Sequence, residues 1–501
     1  MDEVSYSLEN ETQFWSGLED IISAPSDSHE LIDDTLRSFL AFTTKFKRKE
    51  QYLQSEYDIA RCSYKVLDAQ IFQANQDYVR RQFLYCLLEV CIGPSSRHSA
   101  TLTKVQEDDS DTLHLAAAIL LFDGRISEAA FEMMQAEGAF PRLVELIRTR
   151  TDHDDTGLHR LLLELLFEMS RIQKLDREDL VTVDDGFILY LLQLIEELSD
   201  DAEDPYHYHL IRVLLVLNEQ YMCLASTPPS PDGNYGPITN RILKLLSSHG
   251  PSYRTFGENL ILLLNRESAL GPQLLILKLL YLLFTTPPTY EYFYTNDLHV
   301  LVDVIIRNLL DLDPSIGKSD EEREGQRALR HTYLRVLCPL LRNTQLARQG
   351  SHYKRDEVRR VLHLLVNSST AHFAPVDETV IRLVIRCKEV EWLRDEGDEQ
   401  DEEIERKLAE VAPKDTEVAK KLLGMSLDAG ESSLSVDEVS AKITKEKPSV
   451  PAPRRKKKKE ANGTTHGGLQ VPTKDLSASV SGSDDAQEGS RSPFADDNGE
   501  T

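Results

Sequence analysis

Few residues in this chain have the types and spacing that catalysis or metal binding requires. Residues 152–157 read Asp-His-Asp-Asp-Thr-Gly and begin like a calcium loop, but its twelfth position is Leu163 instead of a bidentate glutamate. His207 and His209 are two residues apart at a predicted helix start, where metal pairs on a helix are spaced by four. We interpret His207 and His209 as capping or core histidines, and we expect no metal ion and no other cofactor.

Signatures of the common enzyme classes are also missing from the sequence. It contains no glycine-rich phosphate loop, no His-Glu-x-x-His, no Gly-x-Ser-x-Gly and no kinase signature. We therefore predict a protein that is not an enzyme and acts by binding.

Two segments near the C-terminus have spacing typical of binding. Residues 445–451 fit the basic-x-x-Pro-x-x-Pro pattern that SH3 domains bind, through Lys445, Pro448 and Pro451. A basic block follows directly, at Arg454, Arg455, Lys456, Lys457, Lys458 and Lys459. Four interpretations of this block stay open: stronger SH3 docking, weak binding to anionic membranes, a nuclear import signal, or a solvated run of charge.

The bulk composition predicts an intracellular protein with a large core. The chain has 501 residues, of which 41% are hydrophobic, enough for several domains or one repeat domain. Its net charge of -27 argues against non-specific nucleic-acid binding by the whole chain. The six cysteines form no Cys-x-x-Cys pair, which is typical of reduced thiols in a cytosolic protein. No signal peptide is recognisable, and the most apolar run, 274–284, is too short to cross a bilayer.

Hydrophobic spacing predicts an all-α fold up to about Leu423. Apolar residues recur every three or four positions, and no Asn-Gly or Asp-Gly turn joins two strand-like segments. Polar or proline-rich breaks are expected to be surface connections; they lie at residues 151–157, 227–233, 287–288 and 313–325.

A repeat runs through this helical region. Residues 138–147 read Gly-Ala-Phe-Pro-Arg-Leu-Val-Glu-Leu-Ile, and the four aliphatic positions recur after 48, 51 and 59 residues, beginning at Leu191, Ile242 and Leu301. Gly138 and Gly186, and Asn296 in the last copy, are expected where one helix ends and the next begins. The phrase resembles part of an armadillo repeat. Because stacked repeats cover each other's apolar faces, we predict an armadillo-like right-handed α-solenoid with irregular repeats.

Composition divides the chain into four predicted parts. These are an N-terminal helical region (1–110), an armadillo-like leucine-rich domain (111–395), an acidic linker with a terminal helix (396–424) and a disordered proline-containing, basic tail (425–501). The tail cannot bury enough apolar surface to offset the entropy of ordering it.

The stretch from Asn296 to Leu365 carries the most specific signal. Its phrases are Tyr-Thr-Asn-Asp-Leu at 294–298, Leu-Arg-Val-Leu-Cys-Pro-Leu-Leu-Arg-Asn-Thr-Gln at 334–345 and Tyr-Lys-Arg at 353–355. They resemble the leucine-rich domain of the WISH/DIP/SPIN family, whose vertebrate members are Nck-interacting proteins with an SH3 domain. The first 60 residues here are predicted to be helical and contain no SH3 domain, which is similar to the fungal Dip and Ldb types.

The resemblance implies a non-enzymatic scaffold that binds the Arp-two/three complex. Family members activate that complex without a preformed actin filament and make linear filaments that seed branched networks, for example at endocytic actin patches. We therefore expect a cytoplasmic protein of the actin cytoskeleton and cell cortex, with SH3 partners for its tail and no nucleic-acid partner. The alternative is a generic α-solenoid adaptor for cargo or membrane-associated complexes.

The resemblance does not say which residues contact the complex. Our hypothesis is a basic, polar strip after the leucine-rich helix, here called the basic strip: Arg335, Arg342, Asn343, Gln345, Arg348, Lys354, Arg355, Arg359 and Arg360. Clustered cations in so acidic a protein would steer one partner. The alternative is that these cations stabilise helix C-termini and a loop. The acidic run from Glu391 to Glu410 contains Trp392 and resembles the acidic tails of actin nucleation promoters, or is a solvated helix and linker.

Overall fold

The computed structural model describes eleven parts of the chain: residues 11–24, 28–48, 52–88, 110–149, 156–198, 204, 207–226, 238–312, 319–348, 352–367 and 377–394. All regular elements of these parts are α-helices or short 3-10 helices, with no strand among them. The all-α prediction is confirmed. The SH3-ligand residues, the basic block, the tail and residues 152–155 of the calcium-like loop lie outside the described residues.

The described residues before 110 form five α-helices: α1 (Glu11–Ile22), α2 (His29–Arg48), α3 (Glu56–Asp68), α4 (Gln70–Ala74) and α5 (Gln76–Leu88). Phe14 and Leu18 of α1 are fully buried. Ser55 begins α3 with a capping box, in which its hydroxyl accepts from the amide of Asp58 and the Asp58 carboxylate accepts from the amide of Ser55.

Seven helices follow in the middle of the chain: α6 (Ser110–Ile126), α7 (Glu128–Ala136), α8 (Ala139–Thr149), α9 (Thr156–Ile172), α10 (Arg177–Thr182), α11 (Asp185–Glu197) and α12 (Tyr208–Ser226). The last seven are α13 (Arg241–His249), α14 (Arg254–Arg266), α15 (Leu270–Thr285), α16 (Thr295–Asp311), α17 (Asp320–Asn343), α18 (Arg355–Asn367) and α19 (Glu378–Lys388). Short 3-10 helices are found at Gly250–Ser252, Pro287–Thr289, Gln345–Arg348 and Glu391–Leu393.

These helices stack in two rows. A central row consists of α6, α9, α12, α15, α17 and α19, each in contact with the next. A flanking row consists of α5, α8, α11, α14, α16 and α18, again in order, and each of its helices also packs on a member of the central row. The N-terminal helices α2 and α3 pack on α6 as well. This is the solenoid packing that the repeat predicts; its right-handed twist and the domain boundaries stay predictions.

The aliphatic repeat marks the flanking row in three of its four copies. The copies at residues 143, 191 and 301 lie on α8, α11 and α16, whereas the copy at Ile242 lies on the short helix α13, which precedes α14. Four apolar positions fit any amphipathic helix, so they do not by themselves fix a place in the repeat. Gly138 ends α7 with a φ of 73°, as expected of a glycine at that position.

Two helix starts differ from the sequence expectation. Gly186 lies inside the first turn of α11, because Asp184 caps that helix by accepting from the amide of Phe187 at 2.7 Å. The expected break at 313–325 is too long, because α17 begins at Asp320. The hydroxyl of Ser319 accepts from the amide of Glu322 at 3.0 Å, and acidic residues in the first turn interact favourably with the helix dipole.

Candidate partner-binding site

The family-like phrase at the end of α17 ties three helices together. The Asn343 side-chain amide donates to the carbonyl of Phe284 at 2.8 Å, which holds α17 against the last turn of α15. The Gln345 amide donates to the carbonyl of Phe293 at 3.3 Å and accepts from the hydroxyl of Thr295, the first residue of α16. Asn343 and Gln345 therefore act within the fold, by fixing where α15, α16 and α17 meet.

One face of α17 opens into a cavity between three helices of the central row. Arg335, Cys338 and Arg342 have the spacing of side chains that share a helix face. With Tyr281 of α15 and Arg386 of α19, they line a cavity of about 150 Å³. Its other lining residues are Thr285, Pro339, Asn343 and Leu383. We call this cavity, with Arg335, Arg342 and Arg386, the arginine pocket.

Proline is unusual in the interior of a helix, and Pro339 lies in the wall of the arginine pocket, within α17. Proline has no backbone N–H, so the carbonyl of Arg335, four residues earlier, lacks its usual helical donor. The pocket wall is therefore irregular at the position of Arg335.

The three guanidinium groups of the arginine pocket are poorly compensated. Glu389 Oε2 lies 3.9 Å from Arg342 Nη2, and no carboxylate of the described residues forms an ion pair with Arg335 or Arg386. Burial lowers the pKa of Arg335 to about 10; the hydroxyl of Tyr281 acts in the opposite direction, and the charge of Arg386 adds to the lowering. Arg335 nevertheless stays charged at neutral pH, so the pocket is a partly desolvated positive site.

Two cysteines join α17 to α19 beside this pocket. The thiol of Cys338 donates to the carbonyl of Arg386 at 3.5 Å, and the thiol of Cys387 donates to the carbonyl of Leu334 at 3.5 Å. The neighbouring thiol of Cys387 is the main cause that lowers the pKa of Cys338, with help from the charges of Arg342 and Arg386 and against the effect of burial. The neighbouring thiol of Cys338, together with burial, raises the pKa of Cys387. Cys338 is therefore the more acidic thiol of the pair.

A second group of strip residues holds the turn after α19. Arg355 Nε donates to the carbonyl of Trp392 at 2.7 Å, and Arg359 Nη1 donates to the carbonyl of Leu393 at 2.6 Å. The Trp392 indole stacks on His352, with ring centroids 4.7 Å apart, and donates to the carbonyl of Leu341 at 2.9 Å. Trp392 is thus packed in the core. Arg355 and Arg359 donate to backbone carbonyls of the turn at 391–394, and both interpretations of the basic strip stay predictions for them.

A third group of the basic strip lies at the protein surface and consists of Arg348, Lys354 and Arg360. Lys354 Nζ is 3.0 Å from Asp303 Oδ1 on α16, and Arg348 pairs with Glu291. Arg360 is exposed on α18. The structure therefore divides the strip between the arginine pocket, the turn at 391–394 and this surface group.

Sequence reasoning missed Tyr281 and Arg386, which complete the arginine pocket. They lie about fifty residues from Arg335, on helices whose facing sides the linear spacing does not reveal.

His207, one of the two histidines considered as a metal ligand, is buried at the start of α12 with a φ of 50°. The part of the chain that the structure describes holds no cluster of His, Cys, Asp or Glu suited to a metal ion, and no helix long and apolar enough to span a membrane.

A two-row helical stack with a charged cavity on its central row defines a scaffold of the helical-repeat class. Residues 203–358 match the family model described as the SPIN90/Ldb17 leucine-rich domain. Protein dip1 from Schizosaccharomyces pombe is 32% identical over 403 residues, which cover 79% of this chain and 97% of that protein. LDB17 from Saccharomyces cerevisiae is 27% identical over 438 residues, covering 78% of this chain and 84% of that protein. The chain belongs to the SPIN90/Ldb17 family, and the resemblance seen in the sequence is confirmed.

Proposed function

We propose that this protein is a non-enzymatic activator of the Arp-two/three complex. It nucleates linear seed filaments without a preformed filament, in the assembly of cortical actin and endocytic patches. The observation that carries the proposal is the match along 97% of the length of dip1, because the activity is the one that the family resemblance implies. SH3 proteins bind its tail through Lys445, Pro448 and Pro451.

The activation mechanism that suits a helical stack is a population shift. A scaffold that contacts the active arrangement of the complex better than the inactive one moves the equilibrium towards the active state. A shift from 1:99 to 99:1 requires about 5.5 kcal/mol of differential binding. A packed scaffold can supply this difference because its binding residues are already held in place, as Asn343 and Gln345 hold the end of α17.

The exposed cations near α18 are the part of the basic strip best placed for a first contact. Arg348 is about two-thirds exposed even while paired with Glu291 (66%), and Arg360 is exposed on α18. Arg355 and Arg359 bind backbone carbonyls, so their substitution would also disturb the turn at 391–394. Arg348 and Arg360 therefore make the cleaner test of the surface.

The test of the proposed function is actin polymerisation with purified Arp-two/three complex, the full chain, and no other activator or preformed filament. A shorter lag that requires both the complex and the protein, with mainly unbranched filaments by imaging, is expected. Folded protein at micromolar concentration that leaves the lag unchanged would contradict the proposal and favour the adaptor alternative.

The binding surface is tested in the same assay by charge reversal. Arg348→Glu combined with Arg360→Glu is expected to lengthen the lag, because it removes the cations that steer the partner. The control is Lys174→Glu combined with Arg177→Glu, which makes the same change of charge between α9 and α10. Equal lags for the two double variants would show that the surface near α18 is not the contact.

A further inference from the structure

Several buried or half-buried cations of the described residues have a carboxylate beside them. Arg80 forms two bonds to Asp123, between α5 and α6, and Lys278 forms two bonds to Glu219, between α15 and α12. Arg212 lies between the ring of Phe167 and the carboxylate of Glu168. Pairing of this kind is what desolvated charge normally requires.

The arginine pocket does not follow this rule. Arg335 and Arg386 are half-buried and have no carboxylate of the described residues beside them, and the exposed Arg342 has only Glu389, at 3.9 Å. Burial is the main cause that lowers the pKa of Arg335, and the charge of Arg386 adds to it. A charge held in this way costs free energy in the isolated protein. An anion that enters the cavity would remove that cost.

The chemistry of the pocket wall fits an oxyanion. Guanidinium groups offer planar pairs of N–H donors that match carboxylate and phosphate oxygens. They approach from two helices, Arg335 and Arg342 from α17 and Arg386 from α19, while Tyr281 of α15 lies on the third side. Burial raises the pKa of Tyr281, although the charges of Arg386 and Arg335 oppose this, so its hydroxyl is protonated at neutral pH and is able to donate.

The size of the cavity agrees with this assignment. Its volume of about 150 Å³ is several times the roughly 30 Å³ that one water molecule occupies in the liquid. A single carboxylate or phosphate group fits such a space, whereas a larger ligand would have to extend out of it.

We propose that the arginine pocket is a binding site for an oxyanion, either a free phosphate or a carboxylate carried by an acidic peptide. The site is independent of the proposed activity, because its evidence is the cavity and its unpaired arginines. The anion bridges α17 and α19 through Arg335 and Arg386, and it takes the place that a carboxylate of the fold has beside Arg80 and Lys278.

The test is calorimetric titration of the full chain at constant ionic strength, with no actin or Arp-two/three complex present. The probes are inorganic phosphate, a peptide with four consecutive aspartates, and the same peptide with four asparagines. The variant is Arg335→Gln combined with Arg386→Gln, which keeps polar side chains but removes both charges. The control is Arg323→Gln, which removes a charge from the N-terminal part of the same helix, outside the pocket.

Binding of phosphate or the aspartate peptide to wild type and to Arg323→Gln, weakened at least about tenfold in the double variant, is the expected result. Phosphate binding alone would identify a free oxyanion as the ligand, and competition between phosphate and the aspartate peptide would identify a peptide carboxylate as well. Equal affinities in wild type and the double variant, or no binding of either anion to wild type, would overturn the proposal.

A second variant keeps the test valid if the double variant does not fold. Arg335→Lys retains the charge but loses the paired donors, so it is expected to weaken phosphate binding several-fold while the thermal unfolding curve stays close to that of wild type. Unchanged phosphate affinity in folded Arg335→Lys would also contradict the proposal.

Discussion

Two neighbouring parts of the central row differ in how their buried or half-buried cations are compensated. Between α12 and α15, Lys278 Nζ lies 2.9 and 2.8 Å from the two carboxylate oxygens of Glu219, and both side chains are buried. Between α17 and α19, Arg335 and Arg386 face a cavity without a carboxylate of their own. In the first arrangement a carboxylate of the fold neutralises the cation and joins two helices. In the second, the cations are available to an anion from outside.

The largest effect that this comparison predicts is at Glu219. Glu219→Gln leaves the Lys278 charge buried beside a neutral amide, and we expect the free energy of unfolding to fall by about 3–5 kcal/mol. Urea unfolding followed by circular dichroism measures the change.

The control for that prediction removes both charges at once. The free energy of unfolding of Glu219→Leu combined with Lys278→Met is expected to lie within about 1–2 kcal/mol of the wild-type value, because no unpaired charge remains. A Glu219→Gln protein as stable as wild type would show that this ion pair does not hold α12 and α15 together.

A change of opposite sign is predicted at Arg335. Arg335→Met replaces a desolvated, unpaired cation by an apolar side chain of similar length, and we expect a gain of about 1–2 kcal/mol in the free energy of unfolding. The same urea experiment measures it. A loss of stability would mean that Arg335 has a compensating partner within the fold, and the contrast with Lys278 would then disappear.

The smallest predicted effect concerns thiol reactivity in the arginine pocket. The lowered pKa of Cys338 gives it more thiolate at neutral pH than Cys62, whose pKa burial raises to about 12. We expect iodoacetamide to label Cys338 before Cys62 in the folded protein, with a rate that falls as the pH drops below the lowered pKa of Cys338. Mass spectrometry of peptides over a time course measures both rates.

A further variant tests whether the arginine charges of the pocket raise the reactivity of the Cys338 thiol. Arg386→Gln is expected to slow labelling of Cys338 a few-fold and to leave Cys62 unchanged, since Cys338 lies beside Arg386 and Cys62 is on α3. An unchanged rate at Cys338 would show that the arginines do not act on its thiol.

The helices could be predicted from the sequence, but the contacts between their faces could not. Apolar spacing identified the all-α class, and the Asn-Thr-Gln phrase after Arg342 identified the family. The phrase did not reveal that Asn343 and Gln345 act on backbone carbonyls of Phe284 and Phe293, because those partners lie more than fifty residues away. The arginine pocket was found only in part for the same reason, since Arg386 belongs to another helix.

One missed feature was readable in the sequence. Ser319 followed by Asp320, Glu321 and Glu322 is a capping residue with acidic residues in a first helical turn. Its polarity is equally typical of a surface connection, which is why residues 313–325 are predicted above to be one. A capping signal is therefore better evidence for a helix start than overall polarity is against it.

The most direct test of the contrast between α12–α15 and α17–α19 is the free energy of unfolding with and without phosphate. A ligand of the native state at a hundred times its dissociation constant adds about 2.7 kcal/mol. We predict this gain for wild type and for Glu219→Gln, whose pocket is intact, and a gain of at most about 1.4 kcal/mol for Arg335→Gln combined with Arg386→Gln, whose affinity is at least about tenfold lower. The same gain in all three proteins would contradict the account, because phosphate would then act elsewhere than in the arginine pocket.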